Sequence, residues 1–193
     1  MPRVCAMSSV PPSVAGPVRL TLDLARLRGD PGDFPYSPAL LGGLFAACVA
    51  LDLLTAQSLG NGDNPIAHAL IGESVVLALC WIALRIRGLE HRYVQTATAL
   101  VACSLMVTLA QFPLALLFTP PVAGAVPAAV PAPPDPLQVL ISFGFLALLA
   151  WQTLINAHIM RHAMQATYSF ALTLVVTWVI ASLAIEQILL GAP

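Results

Sequence analysis

The stretch Pro38–Gln57, PALLGGLFAACVALDLLTAQ, decides the fold, because its only charged residue is Asp52. At about 1.5 Å per residue, a helix of this length covers a hydrocarbon layer of roughly 30 Å. Four further runs of similar character follow at 65–84, 93–118, 137–158 and 167–190. The whole chain agrees: it is 59% hydrophobic and 9% charged, contains no lysine and has a mean hydropathy of +0.87. A soluble domain has too little polar surface in such a composition to cover its core. The expected fold class is all-α, a polytopic membrane bundle of five transmembrane helices preceded by an N-terminal interfacial amphipathic helix.

Outward from these runs, the eight arginines fall at alternate connections. Arg3, Arg19, Arg26 and Arg28 precede the first run, Arg85, Arg87 and Arg92 join the second to the third, and Arg161 joins the fourth to the fifth. The other connections carry Asp63 and Asp135 instead. Positive charge is retained on the cytoplasmic side, so the N-terminus is expected there and the C-terminus in the periplasm. Arginine without lysine, with heavy use of Ala, Leu and Pro, points to a GC-rich bacterial genome and hence to a bacterial inner membrane. No signal peptide is expected, because the leading residues are proline-rich and lack an apolar core behind a basic start.

Several function classes find no support. The net charge is -1 and the arginines sit beside membrane ends, so no nucleic-acid partner is implied. Cys5, Cys48, Cys80 and Cys103 have no CxxC spacing. The last three fall inside runs and are expected to be free thiols acting as small hydrophobes, with neither disulfide nor metal. His68 belongs near the outer surface, His158 and His162 near the inner one and His91 in a basic loop, so no pair spans a common plane for haem. His158 and His162, at i and i+4, are expected to titrate at the surface beside Arg161 rather than to hold a metal. No nucleophile–base constellation or phosphate loop is present, so the reading includes no enzyme activity and no cofactor.

Residues 1–37 form an arm. Its first 16 residues have little to bury. In PVRLTLDLARLR, residues 17–28, a helix places Arg19, Asp23 and Arg26 on a narrow polar strip and leucines over the rest. Alternation from Val18 to Leu24 also fits a strand, but a lone strand beside lipid leaves its backbone unpaired. An interfacial helix anchored by Arg26 and Arg28 is therefore expected. Pro31, Gly32, Pro35 and Pro38 then make an elbow into the first span. Arg19, Arg26, Arg28, Asp30, Asp33 and Tyr36 either form a cytoplasmic docking or lipid-contact site or serve as turn and interface residues.

Charges at lipid depth cost on the order of 2.5–3.5 kcal/mol each and face protein or water. Asp52 lies roughly 10 Å and Glu73 roughly 13 Å from the outer ends of antiparallel neighbouring spans. With His68 and Glu186 they make a candidate polar site in the outer half. If Asp52 and Glu73 meet, a shared proton or bound cation is expected; the alternatives are helix packing through Thr55, Gln57, Gln111 or Gln187, and contact with another subunit. Gly42 with Ala46, and Gly43 with Ala47, give small-xxx-small spacing for close helix packing. Pro113 should kink or end the third span. The proline-rich segment 119–136 reads as an extended outer loop, with a re-entrant segment as the alternative.

Five spans, a cytoplasmic arginine-bearing arm and the lead RLRGDPGDFPYSPALL at residues 26–41 resemble the Yip1 superfamily and its short bacterial members. The resemblance covers the layout from Arg19 to Leu190; with no nucleophile–base constellation, phosphate loop, metal motif or paired haem ligand, and almost no extramembrane mass, the first expectation is a non-enzymatic membrane-interaction protein. In that reading it is a scaffold or accessory subunit whose partners are membrane lipid and other membrane subunits or itself. No long N-terminal domain like the one through which eukaryotic members engage small GTPases is read ahead of the first span, so that role is not expected to carry over. The competing expectation is a small proton- or cation-coupled transporter using Asp52 and Glu73.

Overall fold

The computed structural model describes residues 15–58, 65–118 and 135–190, without the side chains of Ala15, Glu186, Leu189 and Leu190. The arm's first residues, the 59–64 connection and nearly all of the proline-rich outer loop lie outside the described residues. All regular structure among them is helical: α1 Ala15–Ala25, α2 Pro38–Ser58, α3 Pro65–Ile86, α4 Tyr93–Leu117, α5 Pro136–Met164 and α6 Tyr168–Leu190, with 3-10 turns at Pro31–Asp33 and Glu90–Arg92. Helices α2 to α6 provide five segments long and apolar enough to cross a membrane. The chain is a multi-pass membrane protein.

Local chemistry sets the helix ends. Proline opens α2, α3 and α5, where its missing N–H is harmless. The Ser37 hydroxyl accepts from Leu40 N at 3.2 Å, and the Asp135 carboxylate accepts from Leu137 N at 3.1 Å. At the arginine-bearing end, α1, α3 and α5 finish with the same hydrogen-bond pattern. Arg28 N, Leu89 N and Ala166 N reach back five residues to Asp23 O, Leu84 O and Arg161 O at 2.8, 2.9 and 3.0 Å. Leu27, Gly88 and Gln165 supply the left-handed residue, with φ of 58°, 68° and 51°. This geometry explains two shifted boundaries. Helix α1 stops at Ala25 instead of residue 28, and α5 runs on to Met164 because hydropathy falls at His158 while the cap comes only at Gln165.

Helix α4 is the axis of the bundle: every residue from Thr96 to Cys103 is buried. Its small side chains let neighbours approach closely. The Thr96 and Thr98 hydroxyls return to Arg92 O and Val94 O at 2.9 and 2.6 Å, so they bury no unmet donor. Helix α2 packs chiefly on α4, α5 packs equally on α4 and α6, and α6 lies against both α5 and α3. Helix α3 also touches α2, although the main partner of α2 is α4. Gly144 permits the α4–α5 approach, since a Cβ there would stand 3.1 Å from Leu114 Cδ1. Pro113 lies inside α4, which continues past it to Leu117.

The small-residue stripe behaves differently from the close-packing expectation. Gly42, Gly43, Ala46 and Ala47 are all exposed, and no heavy atom lies within 4 Å of a Cβ built on either glycine. Helix α2 instead turns its Cys48 and Thr55 edge inward, where both are buried. Polar side chains at lipid depth favour protein contact, and this rotation leaves the small residues on the far side.

Helix α1 leans into the bundle, with Leu24 and Ala25 almost fully buried. Val18 and Leu22 share an apolar cleft of about 230 Å³ with Leu44, Leu105 and Leu109. The elbow is then tied down link by link. Trp151 Nε1 donates to Ala25 O at 3.0 Å, His158 Nε2 meets Gly29 O at 3.2 Å, and Gln95 Nε2 donates to Gly32 O and Phe34 O at 3.0 and 2.9 Å. Phe34 is 1% exposed. Residues 15–37 of the arm are thus part of the packed structure.

Candidate intramembrane site

Cys48 and Asp52 lie one turn apart on α2, so both project from the same face. That face meets α3 at Glu73 and α4 at Ser104. Cys48 Sγ lies 3.3 Å from Glu73 Oε1, 3.9 Å from Asp52 Oδ2 and 3.7 Å from Ser104 Oγ. Ser104 Oγ donates to Glu73 Oε1 at 2.9 Å, and Thr108 is a hydrogen-bond partner of Asp52. One ligand atom each from Cys48, Asp52 and Glu73 fall within 4.8 Å of one another. Along the helices, Asp52 and Glu73 sit roughly 20 Å from the arginine-bearing ends of α2 and α3, at hydrocarbon depth.

The cluster is enclosed on one side and open on the other. Cys48 is fully buried and Glu73 is 8% exposed. Glu73 Oε2 is buried without a hydrogen-bond partner. A buried acceptor left unmatched costs about 1–3 kcal/mol, and more when charged. A cavity of about 250 Å³ reaches the cluster, lined by Asp52, Glu73, Gly72 and, at its exposed rim, His68. Among the described residues, no arginine contributes to it. Any ionised form of two carboxyls and a thiol gathered at this depth is costly without a counter-charge.

Of the polar residues expected to gather, the structure brings Asp52, Glu73 and His68 around one cavity. The backbone of Glu186 belongs to α6, and its side chain lies outside the described residues. Thr55, an expected packing partner, donates to Leu51 O at 2.9 Å instead of to an acid. Cys48, expected to behave as a small hydrophobe, is the hub of the cluster; Ser104 and Thr108 complete it. The available signal for Cys48 is its i, i+4 spacing to Asp52, whereas nothing in the one-dimensional pattern marks Ser104.

The arm's polar residues divide in two. Asp30 Oδ1 accepts from Gly32 N at 2.7 Å in an Asx turn, and Asp30 Oδ2 faces His162 Nδ1 at 3.8 Å. Arg19, Arg26, Arg28, Asp33 and Tyr36 are exposed. The His158 and His162 rings approach to 4.6 Å between centroids, and His158 is engaged with the Gly29 carbonyl. Nearby, Arg87 donates to Met164 O at 3.4 Å, joining the end of α3 to the end of α5. Arg85 lies over the Trp81 ring at 4.7 Å and pairs with Glu90 at 3.6 Å.

Searches against protein-family models, curated proteins and solved structures find no match to this chain.

Proposed function

We propose that this protein is a small proton- or cation-coupled transporter of the bacterial inner membrane, with its ion site between α2, α3 and α4. The observation that carries the reading is the meeting of the Asp52 and Glu73 carboxyls with Cys48 at hydrocarbon depth, beside a cavity that leads to His68. With the arginine-bearing end cytoplasmic, that cavity opens toward the periplasm. An ion entering there meets two acids and, among the described residues, no competing guanidinium. His68 stands at the exposed rim, between the acids and water. Purified protein in proteoliposomes should pass protons or divalent cations down an imposed gradient. Asp52→Asn and Glu73→Gln should each abolish the flux while leaving the helical content intact. Equal flux in protein-free vesicles and in all three proteins would refute the proposal.

A second reading, in which the chain is a scaffold or accessory subunit without catalysis, rests on the exposed Gly42, Gly43, Ala46 and Ala47 face. Helix faces lined with small residues admit close approach by another membrane helix. The Yip1-like layout belongs with this reading. Co-purification of a stoichiometric membrane partner in mild detergent, lost in Gly43→Ile, favours it over transport.

A further inference from the structure

We infer that the Cys48–Asp52–Glu73 cluster binds a divalent transition-metal ion of borderline softness, the Zn2+ class, in preference to Na+, K+, Mg2+ or Ca2+. This deepens the ion-site reading above and rests on it. Three observations support the assignment. The first is the donor set. A thiol at the centre of the cluster is a poor ligand for hard cations, which seek six or more oxygens, whereas sulfur and carboxylate together suit d-block ions. The second is spacing. Metal–sulfur and metal–oxygen bonds of about 2.3 and 2.0–2.2 Å in a tetrahedron place a sulfur and an oxygen donor roughly 3.5–3.7 Å apart; Sγ stands 3.3 Å from Glu73 Oε1 and 3.9 Å from Asp52 Oδ2, just to either side of that span, and the three ligand atoms lie within 4.8 Å of one another. The third is the orphaned Glu73 Oε2, which is buried in a side chain 8% exposed and has no donor to satisfy it. A polar contact that only packed helices together would be expected to pair that atom.

Three protein donors leave a fourth position facing the cavity, the arrangement of sites that exchange water or ligand rather than of closed structural sites. Binding breaks the Cys48 S–H bond and forms a sulfur–metal bond with the electron pair left on sulfur. At least the thiol proton therefore leaves for each ion taken up, and any proton held by the Asp52 and Glu73 carboxyls leaves with it, through the cavity. Uptake and proton release are coupled by stoichiometry.

The test uses the full chain in detergent, with Cys5→Ser, Cys80→Ala and Cys103→Ala so that Cys48 is the only thiol. Co2+ is added, and the near-ultraviolet thiolate-to-cobalt band is followed. The expected result is a saturable one-to-one band, displaced by equimolar Zn2+ but not by a large excess of Mg2+. Cys48→Ser should remove the band, and Glu73→Gln should weaken Co2+ binding by about 10- to 100-fold or more. Absence of the band from protein that retains its helical circular dichroism, persistence of the band in Cys48→Ser, or equal displacement by Mg2+ would overturn the inference. The two proposals fail separately. Proton flux sensitive to Asp52→Asn without a cobalt band removes the metal and keeps the transporter; a cobalt band without flux does the reverse.

Discussion

Replacing Phe34 by alanine should release the N-terminal arm while the bundle stays folded. Phe34 is 1% exposed and sits where Gln95 holds two carbonyls of the elbow. Truncating a buried phenylalanine costs about 3–5 kcal/mol when the site does not collapse. The cost falls on the packing that holds this segment to α4 and α5, so it lowers the free energy of local opening. Arg26 and Arg28 lie in that segment, and both are exposed. Trypsin cleaves after arginine and needs an opened, extended chain, so its rate follows the open population while reclosing is fast. A loss of about 3 kcal/mol corresponds to roughly a 100-fold faster cut at these two sites, at about 1.4 kcal/mol per decade. Trp151→Phe, which keeps an aromatic ring but deprives the buried Ala25 carbonyl of its 3.0 Å donor, costs about 1–3 kcal/mol and should accelerate the same cuts by about 5- to 150-fold. Arg85 and Arg161 provide the internal control, because cleavage there reports on the bundle. Mass spectrometry of timed digests in detergent gives all the rates at once. If Arg26 and Arg28 are cut no faster in Phe34→Ala than in wild type, the arm is not held by the packing described here.

Further outcomes follow from the backbone and the helix contacts. Gly88 has φ of 68° with open space around it, so Gly88→Ala should lower thermal stability in detergent by about 1 kcal/mol through backbone strain alone. Leu27, at φ of 58° and 40% exposed, should show the opposite sign: Leu27→Gly should stabilise by up to about 1 kcal/mol, seen as slower cleavage at Arg26. Gly144→Ile should destabilise by about 1–3 kcal/mol, because its Cβ already meets Leu114 Cδ1 at 3.1 Å. Gly43→Ile should leave the melting temperature of the isolated chain unchanged, since nothing stands within 4 Å of the site. A melting temperature that falls equally in both variants would contradict the assigned rotations of α2 and α5.

The sequence by itself determined the solvent and the segments. Transfer of apolar side chains into lipid depends on length and composition, so Pro38–Gln57 and its four counterparts could be read without any contact being known. Pro38, closing the proline-rich elbow, likewise marked the start of the first span through the local chain alone. The depth match of Asp52 with Glu73 was also legible, because rise per residue is fixed. Tertiary structure alone decided which faces meet. Lipid tails are as apolar as leucine, so a span that is apolar all round carries almost no pattern to set its rotation. The inward turn of α2 placed Cys48 between two acids, left the Gly42 and Gly43 face outside and brought Ser104 from a helix over fifty positions away. It also gave α1 a seat on α4 and α5, because burying Leu24 and Phe34 needs a cavity that only the assembled bundle provides.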